Sequence, residues 1–332
     1  MVKNILIRLP NWLGDIVMST AFVHEVQQCY PEANIDLIVK KGLDFLLPFF
    51  PKYNKHFIFD KAVNNGTVGV CKFGWMLKKN EAYDLFFCLP NSFSSALMGY
   101  CSGAKKRVGF NQEWRNFLLT NSYPQPKGIH RVKEYLFLLE QFAQITIHEP
   151  GVLLQNKREH EVIDIIVNIN SEASSRRLPL QKAIQILNSL RQSTTKKIIL
   201  IGSPKERSFV QEVFKGLTIK DNVEMNAGKT NMQELVQVLT NAAVLLTTDS
   251  GPAHVANALG TPTVVLFGAG NELNTAPFNK SNSQIIRLGR LACEPCIKNK
   301  CPLFDQPKCL LELDEAIITA EVLKLINLRA KT

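Results

Sequence analysis

Hydrophobic residues in this chain occur as short continuous runs separated by longer amphipathic stretches. The first run, residues 2–9, leads through a polar turn into a helical pattern at residues 16–30, and a second run follows at 35–39. A strand, a helix and a strand in such close succession form a βαβ unit. This pattern predicts a parallel sheet with right-handed crossovers.

The same alternation continues along the chain and predicts two domains. Strands buried on both faces of a parallel sheet appear as continuous apolar runs. Such runs lie at residues 85–89, 163–169, 197–201, 244–247 and 263–267, and a helical pattern covers 133–143. A turn through Glu149, Pro150 and Gly151 separates the two series. We therefore expect an α/β protein with two Rossmann-like domains, residues 1–150 and 151–332, a length that suits two cores.

Composition narrows the class of protein without identifying it. Hydrophobic residues make up 45% and charged residues 20% of the chain, as in ordinary globular proteins. No apolar stretch approaches the roughly 20 residues that a membrane helix needs. Arg8 and Asp15 interrupt the first apolar run, and no small-residue cleavage site follows it. We interpret that run as a buried strand and not as a signal peptide.

The net charge of +10, from 39 Lys and Arg against 29 Asp and Glu, favours an anionic partner. Phosphorylated small molecules, an anionic membrane face and nucleic acid all fit, as does a basic surface that only aids solubility. The basic clusters are short, as at Lys105, Lys106 and Arg107. Because the aromatic–basic alternation typical of RNA-binding sheets is missing, we expect no nucleic-acid partner.

Residues with chemical potential follow the predicted strands, where parallel α/β sheets bind their ligands. The loop Asn11-Trp12-Leu13-Gly14-Asp15 comes after the first strand, and Gly14 permits a tight turn there. Asp15 then has two interpretations. It is either a general base at the edge of the sheet or a carboxylate that caps the start of a helix.

A second loop, residues 247–254, follows an apolar strand and opens another helix. Ser250 and Gly251 leave backbone N–H groups free to face an anion, and the helix dipole adds to this attraction. Asp249 could accept hydrogen bonds from sugar hydroxyls. His254 lies one turn further on, on the same side of the helix as Ser250.

Two further loops suit a nucleotide diphosphate. Glu206 follows the strand at 197–201, where a carboxylate often binds ribose hydroxyls, although a solvated helix start explains it as well. Arg176 and Arg177 suit a diphosphate or form a surface charge pair. No two aspartates stand two residues apart, as they commonly do in metal-dependent sugar transferases. We therefore expect no metal or other cofactor, and charge stabilisation by arginines and helix N-termini.

Three stretches resemble the bacterial ADP-heptose:lipopolysaccharide heptosyltransferase family. IRLPNWLGDIVMSTAF is similar to the family's N-terminal motif and TTDSGPAHVANALGTPTVVLFG to its C-terminal signature. LPNSFSSALMGYCSGAKKRVGF resembles the branch that adds the second heptose of the inner core. The resemblance covers nearly the whole chain. It implies the GT-B architecture, with two Rossmann-like domains facing across a cleft, and a cytoplasmic enzyme that transfers heptose from ADP-heptose to the heptose of the lipopolysaccharide inner core with inversion.

The resemblance also implies roles for individual residues. The N-terminal domain would bind the lipopolysaccharide core acceptor, in transient contact with the cytoplasmic face of the inner membrane, and the C-terminal domain would bind the nucleotide sugar. Asp15 matches the catalytic base. The implied donor-binding residues are Asp249, Ser250, Gly251, His254, Glu206, Arg176 and Arg177. Asn11 and Trp12 are the candidate acceptor-binding residues of the first loop. Lys105 and Arg107 are further acceptor-binding candidates because their charge would attract the phosphates and carboxylates of the acceptor, although a solvated charged face explains them as well.

One segment departs from the family pattern. Residues 168–179 read NINSEASSRRLP, where the family has Asn-Pro-Gly-Ala and then Lys-Arg-Trp-Pro. Arg176 replaces the lysine and Leu178 the tryptophan, and arginine keeps the charge but not its point-like geometry. Two alternatives stay open: a related transferase for another nucleotide sugar or acceptor, and a non-catalytic binding protein on the same fold.

Four cysteines cluster near the C-terminus, at Cys293, Cys296, Cys301 and Cys309. The opening Cys-x-x-Cys is compatible with a structural zinc site, but the second such pair of a zinc ribbon is missing. Free thiols, a structural metal and disulfides are the alternatives, and none of them would be catalytic. The other cysteines are dispersed and typical of a reducing compartment.

Overall fold

The structure is a computed structural model that describes residues 2–157 and 164–329. It forms two compact units, residues 1–155 (the N-terminal unit) and 156–332 (the C-terminal unit). The division falls a few residues after the expected boundary at 150. The reason is that Val152 and Leu154 are buried, and the backbone N–H of Gln155 donates to the Phe49 carbonyl at 2.7 Å. This linker therefore packs with the N-terminal unit.

The N-terminal unit contains one parallel sheet of six strands in the order β3-β2-β1-β4-β5-β6. Its strands are β1 Asn4–Arg8, β2 Asn34–Lys40, β3 Lys55–Phe59, β4 Leu85–Cys88, β5 Lys106–Phe110 and β6 Asn121–Tyr123. Its helices are α1 Leu13–Met18, α2 Thr20–Cys29, α3 Gly66–Asn80, α4 Phe93–Cys101 and α5 Arg131–Ala143. In the central strand, Ile5 lies between Ile35 and Leu85.

The C-terminal unit repeats this plan, with strand order β12-β11-β10-β7-β8-β9. Its strands are β7 Ile165–Asn168, β8 Ile198–Leu200, β9 Val223–Met225, β10 Val244–Thr248, β11 Thr263–Phe267 and β12 Ser283–Arg287. Its helices are α6 Leu180–Ser193, α7 Arg207–Lys215, α8 Met232–Thr240, α9 Gly251–Ala258, α10 Glu272–Thr275, α11 Lys308–Leu311 and α12 Glu315–Arg329. Counted within its unit, each sheet runs 3-2-1-4-5-6, the Rossmann order. Residue 163, the predicted start of β7, lies outside the described residues.

The predicted fold class is confirmed, and the reason lies in the central strands. β4 and β10 are buried along their whole length, as expected for parallel strands covered on both faces. Each unit has its own apolar core, built around residues such as Phe86 in the first and Leu187 in the second. Within the described parts of the chain, no helix has both the length and the apolarity required to cross a membrane.

The helix predicted at residues 16–30 is divided into α1 and α2. Ser19 Oγ donates to the Ile16 carbonyl at 2.7 Å, and Thr20 Oγ1 donates to the Val17 carbonyl at 2.8 Å. Such bonds from hydroxyl side chains compete with the helical ladder and bend helices. The break turns α1 into a short helix that follows β1 directly and carries Asp15 in its first turn.

Candidate functional site

In both units, polar side chains gather at the carboxyl edge of the two central strands. β1 neighbours β4 in the N-terminal unit, and β7 neighbours β10 in the C-terminal unit. The strand order reverses at these pairs, and such reversals are where open α/β sheets bind ligands. The loops after β1, β7 and β10 contain most of the residues whose chemistry the sequence suggested, and Glu206, Lys105 and Arg107 lie elsewhere.

Asp15 is the central residue of the N-terminal edge. Its Oδ1 lies 3.6 Å from Arg131 Nε, and 24% of its side chain is exposed. Burial raises the pKa of Asp15, whereas the charge of Arg131 and a hydrogen bond from the Tyr135 hydroxyl oppose that rise. The N-cap position of α1 is Trp12, so Asp15 is not the capping residue. A carboxylate with a raised pKa that still reaches solvent is suited to accept a proton.

Asn11 and Trp12 lie in the loop that joins β1 to α1. The buried Arg8 guanidinium donates to Asn11 Oδ1 at 2.6 Å and to the Leu9 carbonyl at 2.8 Å, which orients the loop. Burial lowers the pKa of Arg8 to about 10, so it stays protonated at neutral pH. Trp12 is 65% exposed, and Lys40 Nζ lies 5.9 Å from the centre of its ring. The loop therefore presents an aromatic face beside Asp15.

Lys105 and Arg107 are not brought to this edge. They lie where β5 begins, at the opposite end of the parallel sheet from the β1–α1 loop. Lys105 Nζ pairs with Asp84 Oδ1 at 2.7 Å. The Arg107 guanidinium donates to the carbonyls of Leu118 and Ala104, each at 2.7 Å. Both cations therefore already have partners within their own unit.

Asp249 is the corresponding carboxylate of the C-terminal unit and is more deeply buried. Its Oδ2 lies 3.5 Å from Arg176 Nε, and only 7% of its side chain is exposed. Burial raises the pKa of Asp249, opposed first by Arg176 and then by Arg287. Neither Asp249 Oδ2 nor Arg176 Nε has a hydrogen-bond partner within the protein. A side chain at Gly270 would collide with the Asp249 carboxylate, so glycine is required there.

The start of α9 lies directly after Asp249. Ser250 Oγ is 3.0 Å from both Asn168 Nδ2 and Thr247 Oγ1, which ties the helix start to β7 and β10. Gly251 is the first residue of α9, and His254 is buried one turn further along it. The structure thus places the predicted group Asp249, Ser250, Gly251 and His254 around one helix N-terminus.

Arg177 and Glu206, the other two residues predicted to bind the donor, make different contacts. Arg177 stacks over the Phe209 ring at 5.5 Å and does not pair with Asp249. Glu206 Oε2 accepts hydrogen bonds from the Ser203 N–H at 2.7 Å and the Ser203 hydroxyl at 2.8 Å, forming a capping box. These are the contacts of a residue at a helix start, which is one of the two interpretations given for Glu206.

The C-terminal cysteines lie beside the loop that carries Arg176. All four line one small cavity of about 20 Å³, together with Ser175 and Ala269. Their thiols are free, and among the described residues no three His, Cys, Asp or Glu side chains are arranged to hold a metal ion. Ser175 N–H donates to the Asn299 carbonyl at 3.2 Å. The segment that contains these cysteines is therefore in contact with the loop that carries Arg176.

Sequence reasoning missed two arginines that act on the carboxylates. The pattern at 133–143 placed the start of α5 too late and so left out Arg131. Its i,i+3 spacing from Glu134 was the only available signal. Arg287, at the end of β12, pairs with Glu272 and Glu294 and opposes the rise that burial causes in the pKa of Asp249. No motif around it indicated this role.

Two Rossmann-like units with polar groups at both central carboxyl edges match the GT-B architecture of solved heptosyltransferases. Comparison with known families agrees. The model of glycosyltransferase family 9 (heptosyltransferase) matches residues 71–305. The chain therefore belongs to glycosyltransferase family 9.

Individual relatives show how far the similarity extends. Lipooligosaccharide heptosyltransferase 2 of Campylobacter jejuni is 25% identical over 334 residues, covering 97% of this chain and 99% of that protein. The structure of Escherichia coli ADP-heptose lipopolysaccharide heptosyltransferase II superposes with a TM-score of 0.83 at 24% identity, covering 99% and 100% of the two chains. A family 9 glycosyltransferase from Veillonella parvula gives a TM-score of 0.84 at 19% identity, covering 98% and 97%.

Proposed function

We propose that this protein transfers heptose from ADP-heptose to the heptose of a lipopolysaccharide inner core, with inversion at the anomeric carbon. Family membership and the similarity to proteins named heptosyltransferase 2 support the reaction class and the substrates. The observation that carries the mechanism is Asp15, a partly exposed carboxylate with a raised pKa at the carboxyl edge of β1.

The donor is proposed to bind to the C-terminal unit. Asp249 Oδ2 and Arg176 Nε are buried polar atoms that form an ion pair at 3.5 Å but have no hydrogen-bond partner in the protein, which favours contact with a ligand. Asp249 accepts hydrogen bonds from heptose hydroxyls. Arg176, Arg177 and the N-terminus of α9, with His254 beside it, hold the diphosphate. Glu206 faces the ribose with the carboxylate oxygen that is not used in its capping box.

The acceptor is proposed to bind to the N-terminal unit, where Asn11 offers a polar contact and Trp12 an aromatic surface for a sugar ring. Asp15 takes the proton of the attacking acceptor hydroxyl. A bond forms between that oxygen and the anomeric carbon as the bond from the anomeric carbon to the ADP oxygen breaks. The charge left on ADP is stabilised by Arg176, Arg177 and the α9 dipole.

The basic surface is proposed to bring the protein to its lipid-borne substrate. A net charge of +10 attracts phosphorylated glycolipids and the anionic cytoplasmic face of the inner membrane. Lys105, whose side chain is 73% exposed, is assigned to this surface contact. Arg107, which donates to two backbone carbonyls, adds only its positive charge to that surface. No nucleic-acid partner is proposed.

The test is ADP release by the purified protein given ADP-heptose and a truncated core acceptor that carries one heptose. The matched control is the same acceptor without that heptose. Release that requires the heptose-bearing acceptor supports the proposal. Donor binding without release on either acceptor would show that the acceptor is wrong. A failure to bind ADP-heptose would favour another nucleotide sugar or a non-catalytic protein.

A further inference from the structure

A continuous chain of polar contacts runs along the carboxyl edge of the N-terminal unit and ends at Asp15. It begins at the buried Arg115 and passes through side chains from the loops after β4 and β6 and from α5. The proposed reaction has no direct use for these residues. Because most of them are partly or fully buried, each must be satisfied by the next, and the chain therefore has a defined geometry.

Arg115 anchors the chain to the backbone. Its guanidinium is completely buried and donates to the Phe110 carbonyl at 3.0 Å and to the Pro90 carbonyl at 2.5 Å. It also donates through Nη2 to Asn91 Oδ1 at 3.3 Å. These bonds fix Arg115 between the ends of β4 and β5. They also orient the Asn91 side chain so that its Oδ1 faces Arg115.

Two amides carry this orientation onward. Asn91 Nδ2 donates to Gln125 Oε1 at 2.9 Å, and Gln125 Nε2 donates to Glu134 Oε1 at 2.5 Å. In each amide, the oxygen accepts from the group on the Arg115 side and the nitrogen donates to the group on the Glu134 side. Burial raises the pKa of Glu134, and the charge of Arg131 and this hydrogen bond from Gln125 oppose the rise. The bond also locks the orientation of the Glu134 carboxylate.

Glu134 in turn holds Arg131. Arg131 Nη1 lies 2.8 and 2.9 Å from the two Glu134 oxygens. Arg131 Nε is left facing Asp15 at 3.6 Å and has no hydrogen-bond partner. An arginine free to move beside a carboxylate commonly closes into a two-pronged pair with short bonds. Here the pair stays open although the two groups are neighbours.

We propose that Glu134 is a positioning residue that holds Arg131 back from Asp15, so that the carboxylate remains available to accept the proton of a sugar hydroxyl. This inference rests on the proposed role of Asp15. Gln125 serves the same end indirectly, because it fixes the carboxylate of Glu134.

The electrostatic surroundings of Asp15 are simple enough to make this testable. From α5, the groups that face it are Arg131, Glu134 and Tyr135. α2 also packs on α1, and no charged group of α2 or β1 within the described chain contributes to the pKa of Asp15. A change in the position of Arg131 should therefore appear directly in the titration of Asp15.

Two substitutions should move that titration in opposite directions. In Glu134→Gln, Arg131 is released and closes on Asp15, which lowers the pKa of Asp15. The acid limb of the kcat/KM profile should move to lower pH by about one unit, and kcat should fall about three- to tenfold because the base is weaker and engaged. In Arg131→Met, the opposing positive charge is lost and the acid limb should move to higher pH.

Gln125→Met separates positioning from simple charge removal. It keeps the Glu134 charge but removes the hydrogen bond that fixes it, so a smaller shift in the same direction as Glu134→Gln is expected. Gln125→Met also tests the proposal if the Glu134→Gln variant does not fold. The matched control is Glu140→Gln, the same chemical change on α5 at a residue that accepts from the Ile147 N–H and stands outside the chain. No shift is expected there.

A carbon-13 titration of labelled aspartate carboxyls, with the Asp15 signal assigned by its loss in Asp15→Asn, reads the same pKa without any turnover. A failure of the transfer reaction would thus be distinguished from a failure of this inference. An unchanged or raised Asp15 pKa in both Glu134→Gln and Gln125→Met would overturn it. A lowered pKa in both, with the control unchanged, would establish Glu134 as the residue that keeps the pair open.

Discussion

The carboxyl edges of the two units contain the same pair of groups, arranged in opposite ways. Both sheets have the same strand order, and each places an aspartate about 3.5 Å from the Nε of an arginine. In the N-terminal unit the aspartate follows the first strand, and Arg131 comes from the helix after the last. In the C-terminal unit the aspartate follows the fourth strand, and Arg176 comes from the loop after the first.

The surroundings of the two carboxylates differ more than their distances. Asp15 keeps about a quarter of its side chain exposed, at 24%, and receives a hydrogen bond from Tyr135. Asp249 is almost completely buried, and its Oδ2 has no hydrogen-bond partner in the protein. An exposed carboxylate can exchange protons, whereas a sealed and unsatisfied one is suited to hold a ligand hydroxyl. This difference is why we propose a base in the N-terminal unit and a ligand-binding carboxylate in the C-terminal unit.

The largest effect is expected at Asp15, the proposed base of the N-terminal unit. Asp15→Asn keeps the shape of the side chain but removes the base, so kcat should fall by about 10²- to 10⁴-fold. The affinity for ADP, measured by calorimetry, should stay unchanged, because the proposed donor contacts lie in the other unit. A variant with near-normal turnover would contradict the assignment.

Asp249→Asn tests the opposite role. Loss of charge-assisted hydrogen bonds to the sugar should raise the KM for ADP-heptose by about 10- to 100-fold. The Kd for ADP itself should not weaken, because the substitution leaves the positive charges of Arg176 and Arg287 less opposed. Equal losses for ADP and ADP-heptose would show that Asp249 does not act through the sugar.

Arg176→Ala tests the proposed contact between the C-terminal unit and the diphosphate of the donor. The Kd of ADP and the KM of ADP-heptose should both weaken about tenfold, since one charge-assisted contact to the phosphates is lost. The KM for the acceptor should not change. Arg177→Ala is the matched variant, and its smaller effect should reflect the hold of Phe209 on that guanidinium.

The smallest effect is expected at Lys105, on the far end of the N-terminal sheet. The Lys105 ammonium holds the pKa of Asp84 down to about 2, so the pair stabilises the fold above the ordinary aspartate pKa and this contribution is lost as pH falls through about 2. Because the Lys105 side chain is 73% exposed and Asp84 keeps its backbone hydrogen bonds from Lys3 and Asn4, Lys105→Ala should change the free energy of unfolding at neutral pH by less than about 0.5 kcal/mol. Transfer to a detergent-dispersed acceptor should stay within about twofold.

The sequence predicted the parts of the fold that depend on uniform burial. The central strands are continuous apolar runs, and their bounds were predicted to within one or two residues where the structure describes them. Five strands were missed, because exposed or partly exposed positions mix polar and apolar residues in them and leave no long continuous run; these are β3, β5, β6, β9 and β12. The break at Ser19 was missed because it depends on a side-chain hydrogen bond and not on hydrophobic periodicity.

The candidate site was predictable only where chemistry lies in consecutive residues. Asp15 and the group at Asp249 follow strands directly, so position along the chain was enough to indicate them. Arg131 lies more than a hundred residues from Asp15 along the chain, and only the folded sheet brings the two together. Lys105 was grouped with Asn11 for its charge, but charge alone does not tell which end of a strand a residue occupies.

The shared strand order also has a consequence for how the chain folds. The central pair of each sheet joins strands about 80 residues apart, as Ile5 beside Leu85 and Ile165 beside Val244. Long loops must close before such pairs form, which slows folding and leaves apolar strands unpaired in the meantime. During synthesis, β1 can pair with β2 on one side, but its other side stays unpaired until β4 emerges. We therefore expect β1 to be the segment of the N-terminal unit that most needs protection from aggregation while the chain is being made.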